Sequence, residues 1–293
     1  MDGCYLHIAP GAQIDKVSGV VWHEGHQFVV DPEWIAYLTE GCIDDLDNDD
    51  LLEFSRYGLC YIASPRYCCT HRSHLIAQLV TNVATEQKVI SEHSFFQEIV
   101  RGNASRKQVI AWLLAMFSFT KSAIDHLGEA QAHASGAVDR KRWCNLLSEE
   151  QHHWKIYRNI FQECGLDIDI LVHMPVEGAV REFVENLKSA ARKSPYHYAA
   201  LLYAIEQGPM HANLDEDPFF SCLIQHYGFS RRAVLPLFQH TVANETLGHS
   251  EIWFDVLKEK NWYSTEMAED VVRHARHSVQ LAGKWYEEVR HAV

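Results

Sequence analysis

Helix breakers are scarce in this chain. Eight prolines and 15 glycines are spread over 293 residues, too few for a collagen-like or low-complexity protein. The eight cysteines (Cys4, Cys42, Cys60, Cys68, Cys69, Cys144, Cys164 and Cys222) contain no Cys-x-x-Cys pair. That argues against a structural zinc site and predicts buried thiols in a reducing compartment. Basic charge is in deficit: 26 Lys and Arg face 39 Asp and Glu, a net charge of -13. Neither a nucleic-acid backbone nor an anionic membrane surface is expected as a partner. No apolar run approaches the roughly 18 residues that a membrane span requires. The opening MDGCYLHIAPGAQ has no basic n-region and no apolar h-region, so no signal peptide and a cytoplasmic location are expected. A phosphate-cradling glycine loop, a G-x-S-x-G elbow and a dinucleotide fingerprint are all missing.

What the chain does hold is apolar bulk and histidine. Hydrophobic residues make up 47% and aromatics 11%, enough for a globular core. The length allows one large domain and one small one. Nineteen histidines supply neutral ligands and proton carriers near pH 7.

Residues 1–66 differ in texture from the rest. Val17–Val21 and Gln27–Val30 are strand-like runs joined by His23-Glu24-Gly25-His26, a hairpin signal. Asp31-Pro32 opens a short helix that reaches Gly41, a second runs from Asp47 or Asn48 to Gly58, and Leu59–Ala63 reads as a closing strand. This order predicts a small winged-helix-like α/β module. Residues 67–293 read as a mainly α bundle, with helices over 71–84, 86–101, 106–134, 140–163, 177–193, 196–207, 218–227, 231–259 and 265–291. Ser105-x-x-Gln108 is a capping box, and Gly102, Gly165 and Gly228 sit where helices should stop. Pro236 lies early in the 231–259 helix, which should start or kink there.

Four stretches set polar groups on inward faces. In the 140–163 helix, Glu150 and His153 share a face with Leu146, Tyr157 and Ile160, an E-x-x-H pair aimed at the core. Glu149 and His152 repeat the spacing one residue earlier and rank second. Glu206 ends an apolar helix before Gly208-Pro209 and is expected to be buried. Leu235–Leu257 carries His240, Glu245 and His249, with Glu245 and His249 one turn apart among apolar residues. The fourth stretch holds Asp125, His126, Glu129 and His133; alanines around the Glu129–His133 pair make a solvated face as good a reading as a site. Cys68-x-x-His71-x-x-His74 is a weaker chelating pattern. Any one of these pairs alone is more often a satisfied polar cluster than a site. A carboxylate is costly to bury without a partner, and acids with imidazoles from three helices are what a dinuclear iron or manganese centre demands.

The run from His93 to Gly102 followed by Ser105–Trp112, then SEEQHHWKIYRNIFQECGL, residues 199–206 and residues 238–250, resembles the heme-oxygenase-like helical fold over about residues 88–290. Thiaminase II, pyrroloquinoline-quinone synthase and the heme-oxygenase-like diiron oxidases and oxygenases share that fold. The order of acid with His, then Glu, then a His/acid/His trio is similar to the diiron group. The resemblance implies Glu150, His153, Glu206, His240, Glu245 and His249 as ligands of two ferrous ions, with manganese as the alternative. It also implies O2 as co-substrate, a small amine, amino acid, fatty acid or peptide-embedded residue as substrate, and a homodimer. One departure stands out. The family spaces its trio H-x3-D-x2-H, whereas here it is H-x4-E-x3-H, which requires a π-bulge after His240 or the loss of one ligand. The 1–66 order resembles the peptide-binding pyrroloquinoline-quinone chaperone module, which implies peptide recognition; a dimer contact is the other reading. Two rivals remain: a metal-free enzyme of the same fold, thiaminase-like or a cofactorless oxidase, and a non-catalytic binding subunit.

Overall fold

The computed structural model describes residues 4–40, 48–64, 68–205, 213–246 and 251–291. In chain order its elements are β1 (Tyr5–Ile8), β2 (Gln13–Asp15), β3 (Val20–His23), β4 (His26–Val29), α1 (Pro32–Glu40), α2 (Asn48–Arg56), β5 (Cys60–Ala63), β6 (Cys69–His71) and α3 (Arg72–Ser91). Then follow α4 (Ser94–Val100), α5 (Arg106–Lys121), α6 (Ala123–Ala132), α7 (Ala137–Glu150), a 3₁₀ turn at His153–Tyr157, α8 (Arg158–Glu163), α9 (Ile168–Leu171), α10 (Gly178–Lys193) and α11 (Pro195–Ile205). The chain closes with α12 (Pro218–Gln225), α13 (Arg231–Thr246), α14 (Ile252–Leu257), β7 (Trp262–Ser264) and α15 (Thr265–His291). Among the described residues no helix is long and apolar enough to cross a membrane.

Two compact units result. The first comprises Met1–Thr85 with Phe254–Arg273, the second Glu86–Trp253 with His274–Val293. The sequence pattern sets a boundary near residue 66, but β6 and β7 pair in antiparallel register, Cys69 opposite Ser264. That ribbon keeps α3 as far as Thr85 and the start of α15 with the first unit.

In the first unit β3 and β4 form the expected hairpin. Its turn places Glu24 at φ +47° and Gly25 at φ +85°, the two left-handed residues of a tight two-residue hairpin loop. β2 adds a third strand. The closing strand β5 pairs instead with β1, Leu6 opposite Ile62, a partner the sequence pattern does not announce. Leu6, Val21, Trp34, Leu51, Phe54 and Ile62 are buried together beneath these elements.

Among its described residues the second unit holds helices and no strand. Ser105 caps α5 with the expected reciprocal box. α10 buries Val180, Phe183, Val184, Leu187 and Ala191 on one face, the spacing of a one-sided helix. Its core gathers Phe95 and Ile99 of α4, Leu113 and Phe117 of α5, Ile160 and Phe161 of α8, and Val234 and Phe238 of α13.

The expected 86–101 helix divides at Glu92–His93, its first part continuing α3, and two further breaks shape the candidate site. The 106–134 helix divides at Ser122, which is buried and donates its hydroxyl to the Phe119 carbonyl at 2.6 Å. The 140–163 helix ends at Glu150, tightens into the 3₁₀ turn and resumes as α8. Short 3₁₀ insertions of this kind recur at functional hinges. α13 runs unbroken from Arg231 with Pro236 inside it. Proline cannot donate to the carbonyl four residues back; that carbonyl, of Arg232, accepts from Asn159 Nδ2 at 3.3 Å instead.

Candidate metal centre

The 3₁₀ turn lies against α13 and α5, so the polar end of α7 faces the middle of α13. Glu150 is the last residue of α7 and His153 the first of the turn. Their side chains, 12% and 24% exposed, meet with His153 Nδ1 2.6 Å from Glu150 Oε2. An ionised carboxylate only accepts, so with no ion bound the proton between the two sits on Nδ1, the atom an ion would compete for. From α13, the His240 ring stands 4.3 Å from that of His153, centroid to centroid, at 70°. Glu150, His153 and His240 each offer a ligand atom within 4.8 Å of the others.

Three of the six first-rank residues are therefore brought together. Glu206 and His249 lie outside the described residues, and Glu245 lies on α13 with its side chain outside them. α13 is α-helical through Thr246, so the π-bulge the trio's spacing called for is not formed there. On a regular helix, positions 240 and 245 stand about 140° apart.

The second-rank residues are placed elsewhere. Glu149 and His152 are exposed. Glu129 pairs with Arg192 at 2.6 Å and lies 3.4 Å from His133, and the Arg192 hydrogen bond holds its carboxyl below the usual range. This is the solvated face. Cys68, His71 and His74 form no ligand group among the described residues; His74 stacks on Tyr61 at 4.1 Å, and His71 Nδ1 lies 2.8 Å from Ser73 Oγ.

One residue of that fourth stretch is buried after all. His126 shares the inner face of α6 with Ala123, Leu127 and Ala130, and α6 packs on α7. Its Nδ1 lies 2.6 Å from the Tyr198 hydroxyl, while its buried Nε2 has no hydrogen-bond partner among the described residues. Burial pulls its pKa from 6.5 to about 4, against an opposing pull from the Glu150 charge. His126 is thus neutral at pH 7 and within electrostatic reach of Glu150. The spacing of Ala123, His126, Leu127 and Ala130 is the sequence signal that could have found it.

Beside the cluster the wall is aromatic. Tyr157, in the same 3₁₀ turn as His153, is buried with its hydroxyl 3.3 Å from Thr120 Oγ1, and burial pushes its pKa to about 12. Phe117 packs edge-on to Trp154, Tyr157 and Phe161. Two cysteines of the helical unit are poor nucleophiles: burial raises the Cys164 thiol, and Cys222 is pushed up to about 12. Cys144 accepts from Gln131 Nε2 at 2.8 Å.

Two imidazoles and one carboxylate are the donor set of non-heme Fe(II) oxygenases, and carboxylate with imidazole also suits manganese. The residues present fit such an ion.

No protein-family model matches the sequence, and no curated protein does. Solved structures do. A domain of unknown function with a heme oxygenase-like fold from Shewanella denitrificans OS217 superposes with a TM-score of 0.59 at 16% identity, covering 73% of this chain and 91% of that one. A TenA homologue from Pseudomonas syringae pv. tomato DC3000 superposes with a TM-score of 0.57 at 12% identity, covering 75% and 95%. Likeness at this identity is likeness of fold, and the fold of this chain is heme-oxygenase-like.

Proposed function

We propose that the helical unit is an O2-dependent non-heme iron oxidase or oxygenase acting on an amine, an amino acid or a peptide-embedded residue. One observation carries the reading: Glu150, His153 and His240, from α7, the 3₁₀ turn and α13, hold their ligand atoms within 4.8 Å of one another. These three would hold a ferrous ion, with manganese as the alternative. With α13 regular, Glu245 stands about 140° round the helix from His240 and is the ligand the trio loses, so a second ion would draw on Glu206 and His249. Iron bound there would supply the electrons and the open coordination positions for O2 chemistry.

The chain's own groups have separate tasks. Glu150 would neutralise cationic charge, and its oxygen 2.6 Å from His153 Nδ1 holds that ring where a bound ion would replace the proton the two share. His240 approaches from a separate helix, so the site forms only when α13 is seated on the 3₁₀ turn. Phe117, Trp154 and Tyr157 keep that side of the cluster dry, which strengthens every charge interaction inside it. His126 sets a neutral imidazole near Glu150, so no buried cation competes with the metal.

Anaerobic titration with ferrous iron, counting metal per chain, followed by stopped-flow mixing with O2, tests the reading. One iron per chain with O2 consumption supports the three-residue site, and two irons bring in Glu206 and His249. Neither iron binding nor O2 consumption would move the assignment to a metal-free enzyme of the same fold.

A further inference from the structure

Away from the helical unit, two thiols meet at the entrance to β6. Cys68 Sγ and Cys69 Sγ lie 3.7 Å apart. Cys68 is exposed and Cys69 half-buried, and neither is in a disulfide among the described residues. Successive side chains of an extended strand point to opposite faces. Cys68 sits just ahead of the strand, and its side chain turns back to its neighbour's. The backbone beneath them is pinned: Thr265 N donates to the Cys68 carbonyl at 3.0 Å, and Cys69 pairs with Ser264.

The spacing bears on the two things a thiol pair does. A disulfide needs sulfurs about 2.0 Å apart and ordinarily joins Cα atoms about 4.4–6.8 Å apart, whereas neighbouring residues hold theirs about 3.8 Å apart. Closing the ring between adjacent cysteines is therefore strained. A tetrahedral centre with sulfur bonds of about 2.3 Å places two of its thiolates about 3.8 Å apart. At 3.7 Å the two thiols are in S–H···S contact, and the same separation matches the bite of such a chelate without rearrangement.

We propose that Cys68 and Cys69 form a vicinal-dithiol site for a soft, thiophilic centre, either a divalent d10 cation or a trivalent arsenical, held by both sulfurs in one chelate ring. Soft thiolate ligands select such centres over the hard cations that suit carboxylates, so this site and the Glu150 cluster take different metals. With a cation, two S–H bonds give two sulfur–metal bonds and release two protons. With phenylarsine oxide, two As–S bonds form, the As–O double bond and both S–H bonds break, and one water leaves; arsenic stays trivalent. Neither reaction needs an oxidant.

The test uses the full chain, reduced and then freed of reductant under nitrogen, with phenylarsine oxide as probe. Intact mass should show one arsenical per chain and thiol titration a loss of two thiols, resistant to a monothiol and reversed by a dithiol. Cys68→Ser and Cys69→Ser should each abolish the adduct, and Cys164→Ser should keep it. Cadmium separates the two ligand sources. A thiolate-to-metal ultraviolet band seen in the wild type and lost in both variants assigns the site to cations as well, while its absence restricts it to the arsenical. No adduct on the folded wild type, or an adduct that survives both serine variants, would overturn the proposal.

Discussion

Glu150 and His153 touch across a helix end rather than along a helix. α7 stops at Glu150, the 3₁₀ turn starts at His153, and Oε2 and Nδ1 still meet at 2.6 Å. The pairing belongs to the turn, and the turn also carries Trp154 and Tyr157 into the aromatic core. Packing of that core therefore sets where the carboxylate and the imidazole point. His240 then needs only the seating of α13 to join them.

Metal content should follow this geometry. Glu150→Ala, His153→Ala and His240→Ala should each lower iron affinity by more than the roughly 10–100-fold that loss of an outer-shell partner costs. Glu129→Ala should leave it unchanged, because Glu129 is engaged with Arg192 on the surface. Equilibrium dialysis against ferrous iron under nitrogen reads both. Wild-type iron retention in His240→Ala would remove α13 from the site.

The helix stops are where the sequence is most legible. Gly102, Gly165 and Gly228 all adopt the positive φ that ends a helix, and Asp217 caps α12 ahead of Pro218. The breaks at Ser122 and at Gln151–His152 are not legible, since neither holds a glycine or proline and each arises from packing of the segments on both sides. The β1–β5 and β6–β7 pairs escape a local reading because strand pairing is a property of two distant segments. His126 hid for the opposite reason: its neighbours Glu129 and His133 face water, and one polar face masked the other. At the site, E-x-x-H named Glu150 and His153 correctly as neighbours while misjudging the backbone between them as one helix.

Two glycines separate backbone cost from steric cost. Gly102 ends α4 at φ +73°, and a Cβ there would stand 2.6 Å from His226 Cγ; Gly165 ends α8 at φ +71° with nothing within 4 Å. Gly165→Ala should cost about 1–2 kcal/mol, the penalty of a left-handed residue with a Cβ. Gly102→Ala should cost more, because the His226 ring has to move as well. Urea unfolding of the two variants gives the comparison, and equal losses would show that His226 yields freely.

The Pro236 gap in α13 yields a coupling measurement. Asn159→Ala removes the amide that serves the Arg232 carbonyl and should cost about 0.5–1 kcal/mol, since water reaches that exposed group. Pro236→Ala restores a backbone donor to the same carbonyl. In that background Asn159→Ala should cost less, and a double-mutant cycle reports the difference. Strict additivity would mean that Asn159 serves α13 in some other way.

His126 makes acid stability depend on one buried ring. Its pKa in the folded protein is about 4, against 6.5 for the free side chain. The unfolded chain therefore takes up this proton first as pH falls. Where the unfolded state binds more protons, stability rises with pH. The contribution is intact above about 6.5, is lost between about 6.5 and 4, and is gone below that. A shift of about 2.5 units at about 1.36 kcal/mol per unit amounts to about 3 kcal/mol. Carboxylates elsewhere titrate in the same window, so the informative quantity is the difference between wild type and His126→Gln. Urea unfolding of the metal-free proteins at pH 7 and pH 4 should show the wild type losing about 3 kcal/mol more than the variant. Equal losses would mean that the ring is already protonated when folded, with Nε2 bonded to water or to an anion. Glu150 is the nearby charge that would favour that state.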